Sequence, residues 1–454
     1  MDTAEHRSDG GRAGAPATPA QPIDALERVA LYRRRRGLAQ LRADELEAVA
    51  DAVATVGRDP VEYVCRLFDR HQVVFLGHHT PTRQTGLFLQ RLVRELPAVG
   101  VNDVALEYFC RDDQHLLDAT VGAGAGAGSP SDAGAGAGNP ALLGFDETPA
   151  REAMLRWGLR HGFAFREYLD IVRAAWAVNR DAAVAAAAAA ASASAASSSS
   201  SVPAVPAVLP GPAPAAMRLL ALDYDLDFDA VTDTADLRSR HPWHHLRHRG
   251  TAARHMCDVL QAEILDTGRK ALVLTRTAHA LTRFRRRPHR LWDAFDTEFD
   301  GGRVVGAGNH VYAAVADRAA TVLLHQPLPA DGTLCDYALA ADGVVDAVFA
   351  MVDGPPAPLG FDVDVGPAAG LRCSGSLDGG TLGDLARGWV YLESDQQTEG
   401  PTPLRGAVPE GAVVRASRFA LDGALRRPDV TAADFDAVFS AAASVAELSW
   451  TQVL

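Results

Sequence analysis

Five short apolar runs in this chain each break off into polar, chemically capable residues. Gln72 to Leu76 runs into Gly77-His78-His79-Thr80, and Asp103 to Leu106 into Glu107-Tyr108. Arg218 to Leu222 runs into Asp223-Tyr224-Asp225, Lys270 to Leu274 into Thr275-Arg276-Thr277-Ala278-His279, and Ala320 to Leu324 into His325-Gln326. Near-continuous apolar runs of this length, separated by helix-period segments, predict parallel strands buried on both faces with helical crossovers. Ligands of open α/β sheets sit outside the carboxyl ends of the strands, so five polar termini predict a pocket on one rim.

Between the runs the period changes to that of helices. Leu26, Val29 and Ala30 fall at helix spacing, and Asp59-Pro60 opens a second helix through Val64 and Phe68. Phe88, Leu89, Leu92, Val93 and Leu96 form one stripe that Gly100 closes. Glu147 to Asn179 predicts two helices hinged near Gly162, rich in aromatics that could roof a pocket, and Met256, Val259, Leu260 and Ile264 share a face of a helix capped by Gly268. A short strand at Trp389 to Leu392 and a helix from Ala432 to Leu448 are expected near the end.

Organisation follows from composition. Residues 1–26 are polar and Gly/Pro/Ala-rich and are expected to be disordered, residues 27–344 to form the α/β domain, and residues 345–454 a mixed α+β covering subdomain. Two low-complexity insertions interrupt the domain, at 121–140 (Gly/Ala) and 182–216 (Ala/Ser, then Pro), and neither is required to pack. The fold class expected is therefore α/β, a mostly parallel sheet with helical crossovers plus a mixed C-terminal part.

A net charge of -13 argues against nucleic acid or an anionic membrane as the main partner and leaves a small-molecule or peptide substrate. The basic runs Arg33 to Arg36 and Arg283 to Arg287 are short, lack interleaved aromatics and are expected to be solvated. Five widely separated cysteines without a C-x-x-C pair, and no eighteen-residue apolar run, make the cytoplasm the expected location.

Among the polar termini, Glu107 stands out because a carboxylate ending an apolar strand is costly to bury unless something pairs or uses it, with Arg151 an available cation. His78 and His79 at a strand-to-loop turn, and His279 after the strand at 270–274, can serve as base or metal ligand. Asp223, Asp225, Asp227 and Asp229 would form a repulsive row on one strand face, and His241, His244, His245 and His248 a helical face. The run RLLALDYD, with Asp223 and Asp225, and the strand ALVLT ending in Thr275 also suit a dehalogenase-type phosphatase with Thr275 as phosphate donor, against which the one lysine of the chain, Lys270, stands before that Thr.

Taken together, VVFLGHHTPTRQTGLFLQRLVREL, VALEYFCRDDQHLLD, ETPAREAMLRWGLRHGFAFREYLDIVRAAW, GRKALVLTRTAHALT and GNHVYAAVADRAATVLLHQPLP resemble the ChaN-like haem-uptake and erythromycin-esterase-like proteins of the Tiki/TraB group. The resemblance implies a G-x-x-H element after the first strand, a Glu ending the next and a second G-x-x-H element later. Glu107 matches fully, and Gly77 and His279 are kept. At the first element His78 replaces the acidic residue and Thr80 the expected His, and at the second Arg276 replaces the Gly. Three readings stay open. In the first, a hydrolytic pocket has water activated by Glu107 with His279 and His78 or His79, these four also being candidate ligands of a divalent metal. The second is a haem site with Tyr108, His79 or His279 as axial ligand and Trp157, Phe163, Phe165 and Trp176 against the macrocycle. The third is a family member that has lost catalysis.

Overall fold

A strand whose side chains are apolar on both faces must be covered on both, and alternate residues of the first strand do go to two different cores. In the computed structural model, β1 (Val73–His78) sends Val74 and Leu76 into a core shared with the helices Arg83–Glu95 and Arg166–Ser198. Val73 and Phe75 enter a second core with the helices Ala252–Leu260 and Ala307–Val315 on the opposite face. The result is three layers, helix, sheet and helix. Described are residues 24–79, 81–122, 144–161, 163–198, 216–227, 248–288, 297–326, 328–329, 337–352, 358–371, 380–394, 397–420 and 423–444.

The remaining strands are β2 (Asp103–Cys110), β3 (Arg218–Asp223), β4 (Ala271–Arg276), β5 (Glu298–Asp300), β6 (Arg303–Val305), β7 (Ala319–Leu324), β8 (Leu328–Pro329), β9 (Tyr337–Ala338), β10 (Leu359–Asp362) and β11 (Gly388–Tyr391). Six of them join β1 in one seven-stranded sheet in the order β10-β11-β7-β1-β4-β2-β3, and β5-β6 and β8-β9 are separate pairs. All neighbours in the large sheet are parallel except β10, which runs antiparallel to β11. The five apolar runs are thus five adjacent parallel strands, and the mixed C-terminal part adds β10 and β11 to the same sheet. The chain leaves β1 toward β2 and β3, returns to insert β4 between β1 and β2, and then crosses to β7 on the far side of β1. Connections that part in this way open a crevice at the carboxyl ends of β1 and β4.

Several local expectations change. The alanine-rich run continues the helix Arg166–Ser198, since Ala is the best helix former, yet its residues 185–192 stay exposed and pack on nothing in the core. The carboxylate row does not form. The strand ends at Asp223, whose Oδ1 accepts the Tyr224 N–H at 2.9 Å and turns the chain out of the sheet, and Asp229 lies outside the described residues, as do His241, His244 and His245. Arg33 is buried, donating to the carbonyls of Ala39 at 2.7 Å and Asp342 at 3.1 Å, and Arg286 is buried too, so the basic runs are only partly solvated. Lys270 donates to the Phe68 carbonyl at the amino end of β4, away from the rim where a phosphatase would need it.

Candidate functional site

Consecutive residues of a regular strand point to opposite faces, yet Glu107 and Tyr108 line the same cavity. A bulge makes this possible. Between Leu106, opposite Ala221, and Cys110, opposite Asp223, β2 carries two more residues than β3, and its pairing with β4 stops at Leu106–Leu274. Bulges bend a strand and re-aim its side chains, and this one falls on the rim.

β1 brings His78 and His79 to the same cavity. Gly77 lets it end there, because a Cβ at this position would lie 2.7 Å from Leu323 Cδ2. The following loop is fastened from the neighbouring strand. Gln326, just past β7, accepts the His79 N–H at 2.9 Å and donates to Thr85 Oγ1 at 2.7 Å, while Thr82 caps the helix Arg83–Glu95 and donates its own N–H to Tyr168 Oη at 3.3 Å.

The opposite wall comes from the helix Thr148–His161 and from Phe163, whose N–H donates to the Gly158 carbonyl at 2.9 Å. Trp157 and Phe163 meet edge to face at 5.3 Å, and Phe163 stacks on Tyr108 at 5.0 Å. Gly158 allows this contact, since a Cβ there would fall 1.8 Å from the Phe163 carbonyl oxygen. Trp157 is oriented by its Nε1–H, which donates to Asp223 Oδ2 at 2.9 Å. With Pro81 and Arg276, these residues line a partly open cavity of about 150 Å³.

The polar groups of the cavity are buried, and burial sets their charge. Glu107, 2% exposed, is held by Arg276, whose backbone N–H donates to Oε2 at 2.6 Å and whose Nε donates to Oε1 at 2.5 Å. Burial pushes the carboxyl up, but the Arg276 guanidinium, His279 and the Arg276 N–H outweigh it and the opposing charge of Asp223, so Glu107 lies below its ordinary range and is ionised. Burial, joined by Arg276 and opposed by Glu107, takes His78 down to about 4 and leaves a neutral imidazole. Tyr108 is raised by burial and by Tyr168, and stays a phenol. Among the described residues, His78 Nδ1 and Tyr108 Oη have no hydrogen-bond partner.

The structure gathers most of the residues singled out in the sequence. Glu107, Tyr108, His78, His79, Trp157 and Phe163 line one cavity, and buried His279, on the short helix Thr277–Ala280, is within electrostatic reach of Glu107. Trp176 is not there. It packs on Phe145 at 5.4 Å and carries Arg180 over its ring. The cation on Glu107 is Arg276, not Arg151, which donates to the carbonyls of Arg405 and Gly406. Arg276 was legible only as a lost glycine. Its place at a strand end, one residue past the position level with Glu107 once Leu106 is set against Leu274, is the signal that marks it.

Among the described residues no group of three or more His, Cys, Asp or Glu side chains could hold a metal ion, and at Glu107 the place of a cation is taken by the Arg276 guanidinium. His78, His79, Glu107 and His279 as arranged do not fit a metal centre. A tetrapyrrole needs more than this cavity, since even drug-sized ligands occupy pockets of roughly 300–1,000 Å³. Tyr108, Trp157 and Phe163 pack on one another and Trp176 lies elsewhere, so this set does not fit a macrocycle.

No protein-family model and no curated protein matches the chain. Among solved structures, a Bacillus cereus protein is 10% identical, with 77% of this chain and 97% of that one covered and a TM-score of 0.39. A succinoglycan biosynthesis protein is 10% identical, with 80% and 98% covered and a TM-score of 0.44. A structure of bacterial protein toxins is 15% identical, with 65% and 42% covered and a TM-score of 0.28.

Proposed function

We propose that the chain is a hydrolase-like pocket protein of the ChaN and Tiki type, in which the cavity at the ends of β1, β2 and β4 holds a small molecule and Glu107 and His78 direct a water onto it. The observation that carries this reading is that a buried neutral imidazole, His78, whose Nδ1 has no hydrogen-bond partner among the described residues, and an ionised carboxylate, Glu107, line one cavity. Buried polar atoms are almost always hydrogen-bonded, so such an atom marks a place for a water or a ligand. The resemblance adds Gly77, Glu107 and His279, all at the same end of the sheet.

In this mechanism Glu107 orients the water, His78 takes its proton as the oxygen adds to the acyl carbon, and the Arg276 charge stabilises the oxyanion. His78 then returns the proton to the leaving group. A base near 4 is weak, but it is unprotonated throughout the neutral range. The rate is therefore expected to rise with pH through about 4 and then level off.

One observation favours a purely structural Glu107, namely that Arg276 bonds to both of its oxygens. Turnover of a series of small esters and amides by the wild type and by His78→Gln separates the readings. A catalytic His78 gives at least about a 100-fold loss with the melting temperature little changed. Equal turnover by the variant, or no turnover of the series by the wild type, overturns the hydrolytic reading.

A further inference from the structure

Next to the aromatic wall lies a carboxyl group whose burial is poorly compensated. Asp113 ends the 3-10 turn Arg111–Asp113, which follows β2 directly, and its side chain is fully buried. Among the described residues neither of its oxygens accepts a hydrogen bond, and it does not cap the helix Gln114–Val121 that it precedes. Its counter-charge is Arg156, whose Nη1 stands 2.9 Å from Oδ1 but outside hydrogen-bond geometry. A carboxyl taken from water without such bonds is costly as an ion and far less so as an acid.

Arg156 connects this group to the cavity. It precedes Trp157 on the helix Thr148–His161, so consecutive residues of one helix are held at two carboxyl groups, Arg156 at Asp113 and Trp157 at Asp223. The other charges around Asp113 come from three segments. Asp225, after β3, and Asp112, on the same turn, disfavour its ion, while His115, on the helix that follows, favours it. Asp112 is itself fastened, accepting from Arg249 at 3.0 and 2.8 Å and from the Asp225 N–H at 3.2 Å. Burial outweighs Arg156 and His115 and, joined by Asp225 and Asp112, raises the Asp113 carboxyl from 3.8 to about 6.

The sign follows from linkage. A carboxyl released to water returns to its ordinary 3.8, so the packed wall binds the proton more tightly than a loosened one, and packing weakens as pH rises toward 6. We infer that Asp113 is a proton switch for the aromatic wall: with its carboxyl protonated the helix Thr148–His161 packs down with Trp157 at the cavity, and with the carboxyl ionised Asp113 and Arg156 move toward water and the wall loosens. As a control on ligand entry this rests on the cavity being the binding site; as a motion of the wall it does not.

Amide hydrogen exchange of the full chain, read by mass spectrometry and corrected for the intrinsic rate at each pH, tests the wall directly. Between pH 5 and pH 7, peptides within 151–161 are expected to lose protection by about tenfold relative to peptides from β1 and β4. Asp113→Asn, which imitates the protonated acid, should show equal protection at both. Arg156→Gln removes the charge that favours the ion, so its loss of protection should be centred at a higher pH than in the wild type. Equal protection of the wild-type wall at both pH values, a loss shared equally by β1 and β4, the same loss in Asp113→Asn, or an unmoved midpoint in Arg156→Gln overturns the inference. No ligand or ester enters the measurement. A wall that responds in a protein inactive on every ester therefore removes the hydrolytic reading alone, and turnover by a protein whose wall ignores pH removes this inference alone.

Discussion

Arg276 grips Glu107 with both its backbone and its side chain, N–H to Oε2 at 2.6 Å and Nε to Oε1 at 2.5 Å, joining the ends of β4 and β2 across the candidate site. Removing one partner of a buried pair typically costs about 3–5 kcal/mol. The Arg276 side chain is 30% exposed, which places the cost lower. Glu107→Gln is expected to lose about 2–3 kcal/mol in urea unfolding. Arg276→Gln should lose a similar amount, and the double variant clearly less than the sum. Additive losses would mean that the pair is not coupled.

Stability should depend on pH through His78. Burial holds its folded value at about 4, below the ordinary 6.5, so between these values the unfolded chain binds the proton and the native state does not. The contribution is whole above 6.5 and is lost as pH falls toward 4, about 3 kcal/mol in all at 1.36 kcal/mol per unit. Asp113 acts with the opposite sign. Burial, opposed by Arg156, raises it from 3.8 to about 6, so its contribution is present at low pH and lost as pH rises through 6. Urea midpoints across this range should fall more steeply toward acid in Asp113→Asn and less steeply in His78→Gln. Parallel curves for all three proteins would contradict both assignments.

Gly158→Ala should deform the aromatic wall, because the added Cβ would sit 1.8 Å from the Phe163 carbonyl oxygen, which belongs to backbone and cannot rotate away. A loss of about 1–3 kcal/mol is expected, together with weaker ligand binding. A variant as stable as the wild type would show that the contact is not set as described.

Trp157→Phe keeps an aromatic ring, smaller than the indole, and deletes the N–H that donates to the buried Asp223 carboxylate at 2.9 Å. Losing a hydrogen bond to a charged group costs about 1.5–3 kcal/mol. Adding Asp223→Asn should restore part of it, as thermal unfolding of the single and double variants will report. No recovery would mean that the indole contributes by packing alone.

How much of this could be read from the sequence is clearest at Glu107. Its burial at a strand end was legible, because an acidic residue closing VALEY has no solvated alternative once the run is a buried strand. Its partner was not. Arg151 and Arg276 are equally charged in a sequence, and the choice between them depends on β2 lying beside β4, 169 residues away. Tyr108 shows the same limit. Strand alternation sends it away from Glu107, and only the bulge brings both to one cavity.

The order of apolar and polar positions determined by itself that five strands are buried and parallel and that His78, Glu107 and His279 stand at their carboxyl ends. Those features follow from local composition and from the geometry of βαβ connections. Strand order, the insertion of β4 between β1 and β2, the bulge at Glu107 and the wall formed by Trp157 and Phe163 were decided only in the tertiary structure. Each depends on which distant segments meet and in what register, and that is a property of the packed chain as a whole.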